Sequence, residues 1–241
     1  MAINGAQKEK HVKIASNRII YNPDVIELPS LSLFQASKSG SEVSLARGSA
    51  CFFEHCGTDF VLKRYFRGGA VSKLSERRYV YMGLDRTRML QEFRLLQYLL
   101  ELDLPVPVPA AVLVERALLF YSGCLITKRI HADGSLATLA AAQQLPHKMW
   151  RQIGESIAKF HMRGVFHSDL NAENILLTGK QIFLIDFDKC YVEQDLNEVK
   201  RTGNLLRLKR SLEKLKVWKV NDTNSDQDWQ ALLAGYHSLK K

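Results

Sequence analysis

A chain of 241 residues, 46% apolar and 24% charged, has the composition of a globular protein large enough for two lobes and a sizeable core, which excludes fibre, disorder and membrane channel. Its 34 Lys and Arg against 25 Asp and Glu leave a formal charge of +9, which suits a polyanionic partner: nucleic acid, a phosphorylated sugar or an anionic membrane face. Four cysteines, Cys51, Cys56, Cys124 and Cys190, are scattered without a C-x-x-C pair and read as reduced thiols.

In chain order, residues 1–15 carry no pattern that predicts structure. The opening MAINGAQKEKHVKIASNR lacks the apolar core of a secretory signal, so a cytoplasmic address is expected. The small, polar run SKSGSE reads as a loop. From Val43 to Tyr65 the segments EVSLARG, ACFFEHC and DFVLKRYF predict a three-stranded antiparallel unit. RTRMLQEFRLLQYLLEL then sets Leu90, Phe93, Leu96 and Leu100 at helical spacing, and Pro105, Pro107 and Pro109 end that helix. The prolines also break the most apolar stretch, Leu104 to Val114, far short of the roughly 20 residues a membrane span needs. AAVLVER and ALLFYSGCLITKRI predict two more strands. After Gly134, Trp150, Ile153, Ile157 and Phe160 recur at three- and four-residue steps and predict a helix ending near Gly164. NILLT and QIFLIDF predict short strands around a turn at Gly179 and Lys180, and the remainder reads as polar, basic helix to the end.

The chemistry concentrates in His167-Ser168-Asp169-Leu170-Asn171-Ala172-Glu173-Asn174, an apolar strand, and then Ile185-Asp186-Phe187-Asp188. That order fits H-x-D-L-x-x-x-N followed by a second acidic residue closing another apolar segment. Phosphoryl transfer calls for these residue types because its catalysis is mostly positioning and charge neutralisation. One carboxylate, Asp169, is expected to face the attacking hydroxyl. An amide and a second carboxylate, Asn174 and Asp186, are expected to hold Mg2+ across the phosphates of ATP, since oxygen ligands suit that hard cation. Each Asp alone would read as a helix cap or turn residue; the joint pattern overrides that reading. His167 is expected to support the loop backbone.

HSDLNAEN and IDFD resemble the catalytic loop and metal-binding segment of protein kinases. The resemblance implies an α+β, two-lobed fold: residues 1–127 an antiparallel β lobe with one helix, residues 128–241 a reduced, mainly helical lobe. Lys63 in FVLKRYF stands where that family carries its phosphate-binding lysine, with Glu92 in the next helix as ion-pair partner and Glu101 as a competing carboxylate. Where the family has a loop of three glycines, ARGSACFF offers Gly48 alone, although Gly48, Ser49 and Ala50 can present backbone N–H groups to phosphate. The backbone of Lys128, Arg129 and Ile130 is the expected hinge that meets adenine. Asp188 replaces the glycine of D-F-G, no A-P-E follows, and the chain after Cys190 is short, so peptide acceptors are disfavoured.

From about Ala46 to Tyr191 the chain resembles, more narrowly, the lipopolysaccharide kinase family. That implies transfer of the ATP γ-phosphate to the 4-hydroxyl of 3-deoxy-D-manno-octulosonic acid (Kdo) on a lipid A precursor, at the cytoplasmic face of the inner membrane. The charge distribution agrees with an anionic glycolipid. Arg64, Arg67, Lys73, Arg77, Arg78, Arg86 and Arg88 stand against Glu76 and Asp85. A second basic run, Lys200 to Lys219, sets Leu205, Leu208, Leu212 and Leu215 at helical spacing. It could lie on an anionic bilayer or pack its leucines on the lobe. The competing readings are an aminoglycoside- or choline-type kinase, disfavoured by the positive charge, and a pseudokinase or nucleic-acid module. The latter is disfavoured because the key residues are present and no nucleic-acid motif appears.

Overall fold

The structure is a computed structural model, and it describes residues 8–38, 42–45, 48–65, 79–143, 145–179, 181–215 and 223–239. The chain divides into two compact units, Ala2–Glu101 with Pro107–Ile130 and Leu102–Val106 with His131–Lys241. None of the four cysteines is in a disulfide.

The first unit is an antiparallel sheet with one helix. Its strands are β1 (Lys10–Ile14), β2 (Asn17–Tyr21), β3 (Glu42–Leu45), β4 (Gly48–His55), β5 (Thr58–Tyr65), β6 (Tyr79–Val80), β7 (Pro109–Ala117) and β8 (Phe120–Lys128). They pair in the order β1-β2-β7-β8-β5-β4-β3, with β6 added to β8. Period-two alternation along β5 sends Phe60 and Leu62 to one face and Lys63 and Tyr65 to the other. The Phe60 face is covered by Ile26, Leu33 and Phe34 from the segment after β2, which close a core with Ile19, Leu113 and Ile126. Helix α1 (Arg88–Glu101) buries Met89, Leu90, Phe93, Leu96 and Leu99 and packs on β7 and β8. With β7 covered on both faces, its sequence is an unbroken apolar run, PAAVLV, rather than an alternating one.

The β3, β4 and β5 strands and the helix fall where the sequence predicts them. Within residues 1–15, where the sequence carries no pattern that predicts structure, β1 pairs with β2, and β2 with β7. As an edge strand β1 is solvated nearly throughout, so it carries no hydrophobic period to read.

The second unit holds β9 (Gly134–Ser135), α2 (Leu136–Ala141), α3 (His147–Met162), β10 (Val165–Phe166), β11 (Ile175–Leu177), β12 (Ile182–Leu184), β13 (Tyr191–Val192), α4 (Glu198–Lys214) and α5 (Thr223–Ser238). Short sheets form in the order β12-β11-β9 and from the pair β10-β13. Side-chain oxygens of Ser135 and Asn197 cap α2 and α4 by accepting from Thr138 N–H and Lys200 N–H. Helix α3 buries Trp150, Ile153, Ile157 and Phe160 as its spacing requires.

For the C-terminal region one expectation is corrected and one open alternative is decided. Helix α5 is not solvated and basic: it buries Trp229, Leu232 and Tyr236 and packs closely on α3. Gly154 and Gly235 make that approach possible, since a Cβ at either would lie 1.9 Å from a carbonyl oxygen of the other helix. In α4, Leu205, Leu208 and Leu212 are 6%, 0% and 0% exposed, so these three pack into the unit, while Leu215, just past the helix, is 42% exposed. Transfer of the three from water drives the packing. Among the described residues no helix is long and apolar enough to cross a membrane.

Candidate active site

In the first unit, β5 and α1 bring Lys63 and Glu92 together. Lys63 Nζ donates to both carboxylate oxygens of Glu92, at 2.8 and 3.0 Å. Glu92 is buried and also accepts from the Tyr65 hydroxyl, while the Lys63 ammonium lies 4.9 Å from the Tyr65 ring centroid. A buried carboxylate with two donors holds the ammonium in one position. Glu101, at the far end of α1, takes no part in the pair.

Antiparallel register sets Ala50 opposite Lys63, so the β3-β4 hairpin rises beside the lysine strand. Gly48 and Ser49 pair with Leu45 and Ser44 inside that hairpin, and residues 46 and 47 lie outside the described residues. At the end of β8, the Lys128 N–H donates to Val108 C=O and the Arg129 N–H to Asp59 C=O. Both amides are therefore engaged by the sheet. Of the three residues expected to form a hinge, Ile130 carries the N–H that no described backbone group accepts. The chain passes from one unit to the other just after it.

In the second unit, the loop between β10 and β11 carries Asp169 and Asn174. Asn171 caps a 3-10 turn over Ala172–Asn174, accepting from Glu173 N–H and Asn174 N–H, and its Nδ2 donates to Asp169 Oδ2 at 3.0 Å. The other Asp169 oxygen lies 3.8 Å from the Arg207 guanidinium, and the Asp169 side chain is 52% exposed. Asn174 Nδ2 donates to Asp169 C=O at 2.9 Å, which fixes the amide so that its oxygen faces away from that carbonyl. The Ile185 N–H donates to Asn174 C=O at 3.0 Å, tying the loop to the segment that carries Asp186. Asp186 has φ 63, the left-handed conformation that non-glycine residues adopt at a cost.

His167 is bonded on both ring nitrogens. A carbonyl can only accept and an N–H can only donate, so Nε2–H donates to Ile185 C=O (3.1 Å) and Nδ1 accepts from Asp169 N–H (3.3 Å). The ring packs edge-on against Phe187, which is itself buried and stacked on Phe160. Its nitrogens being occupied by backbone, His167 shapes the loop and has no lone pair for an acceptor proton.

Several residues that hold this loop are not evident from the sequence. Ser168 Oγ donates to Asp188 C=O at 2.6 Å, and Ser168 N–H donates to Cys190 Sγ at 3.2 Å. From α4, Asn204 Nδ2 donates to His167 C=O (2.9 Å), while its Oδ1 accepts from His167 N–H and His161 Nε2–H (both 3.2 Å). The Tyr236 hydroxyl of α5 donates to His161 Nδ1 at 2.7 Å. Burial pushes that phenol up to about 12, which keeps it a donor. Two turns further along α4, Ser211 Oγ accepts from Ala172 N–H. Asn204, Arg207, Leu208 and Ser211 share one helical face, so of the two readings left open by the sequence the packed one holds, and the helix is a strut behind the loop that carries Asp169. The available signal was Asn204, an amide on the inward side of a leucine stripe. Arg67, Lys73, Glu76, Arg77, Arg78, Lys216 and Lys219, invoked for substrate or membrane charge, lie outside the described residues.

Among the described residues no group of three or more His, Cys, Asp and Glu converges. Asn174 and Asp186 offer one amide and one carboxylate oxygen donor. That set fits Mg2+, which keeps several waters and takes one or two carboxylates together with substrate phosphates.

The family model described as lipopolysaccharide kinase (Kdo/WaaP) family matches residues 35–236. A 3-deoxy-D-manno-octulosonic acid kinase of Haemophilus influenzae (strain PittEE) is 41% identical over 187 residues, covering 75% of this chain and 76% of the relative. One of Vibrio vulnificus (strain YJ016) is 35% identical over 239 residues, covering 94% and 97%. A solved structure of WaaP in complex with acyl carrier protein aligns at TM-score 0.54 and 14% identity over 83% of this chain and 81% of that one, a likeness of fold alone.

Proposed function

The chain belongs to the lipopolysaccharide kinase (Kdo/WaaP) family, and from that premise we propose that it transfers the γ-phosphate of ATP to the 4-hydroxyl of Kdo on a lipid A precursor. One observation carries the choice of acceptor: a relative aligned over 94% of this chain bears the name of that kinase. Because the acceptor is lipid-borne, the enzyme works in peripheral contact with the cytoplasmic face of the inner membrane.

The residue geometry supports a role for each group. Asp169, oriented by the Asn171 amide and half exposed, accepts the proton of the sugar hydroxyl. Arg207, beside it, provides a cation for an acidic sugar. Asn174 and Asp186 hold Mg2+, which when bound neutralises charge on the phosphate oxygens. Lys63, fixed by Glu92, offers its ammonium to the ATP phosphates, and the Gly48 and Ser49 backbone flanks them. The Ile130 N–H donates to adenine.

The test is phosphate transfer from ATP to four acceptors: Kdo-lipid A precursor, the same lipid without Kdo, an aminoglycoside and a generic protein. Transfer is expected with the first alone. Asp169→Ala should lower kcat by at least about a hundredfold at unchanged melting temperature, since proton transfer contributes 10²–10⁴. Equal turnover on lipid lacking Kdo would sink the acceptor assignment.

A further inference from the structure

The far end of the first unit's sheet carries an apolar projection beside a basic hollow. Among the described residues twelve large apolar side chains are exposed, and five of them cluster here: Leu118 (88%), Leu119 (72%), Met82 (65%), Val80 (59%) and Phe120 (41%). They are contiguous in space. Val80 pairs with Phe120 across β6 and β8, and the Tyr81 N–H donates to Leu119 C=O at 2.8 Å. Leu118 and Leu119 form the tip of the β7-β8 hairpin, and Leu118 has φ 53. Glycine or asparagine adopts that conformation more cheaply. A solvated turn therefore carries two leucines where polar turn formers would stabilise it better.

The hollow next to the tip is lined by Lys13, Ser16, Arg18, Tyr81, Arg116 and Leu118 among others, and no carboxylate is in its lining. The register explains the cluster: Lys13 lies opposite Arg18 and Arg18 opposite Val114, so these side chains share one face of the sheet, with Arg116 two residues along. Arg116 is held in place, its guanidinium 4.5 Å from the Tyr81 ring centroid and its Nε donating to Leu118 C=O. Among the described residues none of the three cations pairs with a carboxylate.

We infer that this end of the sheet is a membrane-docking surface. The Leu118-Leu119-Phe120 tip, with Val80 and Met82, enters the boundary between headgroups and acyl chains of an anionic bilayer, and Lys13, Arg18 and Arg116 engage lipid phosphates. Three features favour a bilayer over a protein partner. The apolar side chains stand on a projecting tip, where they can enter a fluid layer without a preformed groove. Among the described residues the adjoining cations lack counter-charges, as suits a surface of anionic headgroups. The whole chain carries +9. The inference rests on the proposed function only in that a lipid-borne acceptor needs the enzyme at a surface. It assigns that contact to the hairpin and not to Leu205, Leu208 and Leu212 of α4, which are buried.

The experiment is flotation of the full chain with vesicles of phosphatidylethanolamine and phosphatidylglycerol, and with vesicles of phosphatidylcholine alone. Two sets of variants are compared, Leu118→Ser with Leu119→Ser, and Lys13→Glu with Arg18→Glu and Arg116→Glu. Wild type should float with the anionic vesicles and much less with the neutral ones. Each variant set should bind about tenfold more weakly or worse, since one well-buried leucine or a few headgroup cations is each sufficient for that factor. Melting temperature, and kcat on a Kdo acceptor freed of its acyl chains, should stay at wild-type values. Wild type that stays with the soluble fraction, or hairpin variants that float as wild type does, would overturn the inference. So would loss of self-association in sedimentation velocity, which would make the tip a contact between copies. Wild type that floats, yet leaves the deacylated Kdo acceptor unphosphorylated, would remove the acceptor assignment while supporting the docking surface.

Discussion

Replacing Asn204 with alanine tests whether α4 governs the catalytic loop. The side chain is 1% exposed and makes three hydrogen bonds, two to the backbone of His167 and one to the His161 ring. Alanine removes the bonds that Asn204 makes to the His167 N–H, the His167 C=O and the His161 Nε2–H. A buried polar group stripped of its partner costs about 1–3 kcal/mol, and partial entry of water brings the sum to about 3–5 kcal/mol. For a chain of this size each kcal/mol moves the melting temperature by about 2–4 °C, so a fall of about 6–20 °C is expected. Asp169 is two residues from His167 and receives its position through the same loop. Displacement by about 1 Å can cost on the order of a hundredfold in rate, so kcat at a temperature where the variant is folded should fall about tenfold to a hundredfold. Thermal melting by circular dichroism and phosphate transfer at saturating ATP measure the two effects separately. Melting at the wild-type temperature would refute the energetic argument, and a low melting temperature with intact kcat would refute the positioning argument.

Glu92→Gln removes the charge that fixes Lys63 while keeping its shape. About a tenfold or greater loss of kcat is expected, with the fold retained because the lysine side chain reaches solvent; unaltered kcat would dissociate the ion pair from phosphate binding. Gly235→Ala drives a methyl into the Arg151 carbonyl and should destabilise by about 1–3 kcal/mol, whereas Gly203→Ala in open space on α4 should stabilise by up to about 1 kcal/mol; urea midpoints of the two variants should move in opposite directions. Tyr236 has its phenol raised from 10.0 to about 12 by burial, so the unfolded chain loses that proton first. Its contribution is fully present below pH 10 and lost as pH rises through 12. Tyr236→Phe should therefore lose stability less steeply over that window, and parallel urea-midpoint curves for the two proteins would contradict it.

The loop from His167 to Asn174 and the segment at Asp186 were legible because the proposed phosphoryl transfer calls for residue types at fixed short spacings, and spacing survives in a linear string. The pairing of Lys63 with Glu92 was legible for a related reason: strand then helix is the order in which the two side chains meet, with β5 alternation sending Lys63 toward α1. Helix α3 announced itself through Trp150, Ile153, Ile157 and Phe160, since a helix buried on one side must repeat its apolar residues at that period.

What the tertiary structure alone decided is which partner covers each apolar or polar stripe. Leu205, Leu208 and Leu212 beside so many cations are compatible with a bilayer or with a protein interior, and periodicity is the same in both. Only the packed chain, with Asn204 reaching the His167 backbone and Ser211 reaching Ala172, shows that this face turns inward. Likewise β1 has almost no buried residue and so no pattern; its place is set by hydrogen bonds to β2, which carry no side-chain signature. The hairpin tip is the converse case. In the string, Leu118, Leu119 and Phe120 read as the opening of the strand ALLFYSGCLITKRI, and it is the turn between β7 and β8 that exposes them. A sequence records which side chains prefer to leave water, while the folded backbone determines which of them succeed.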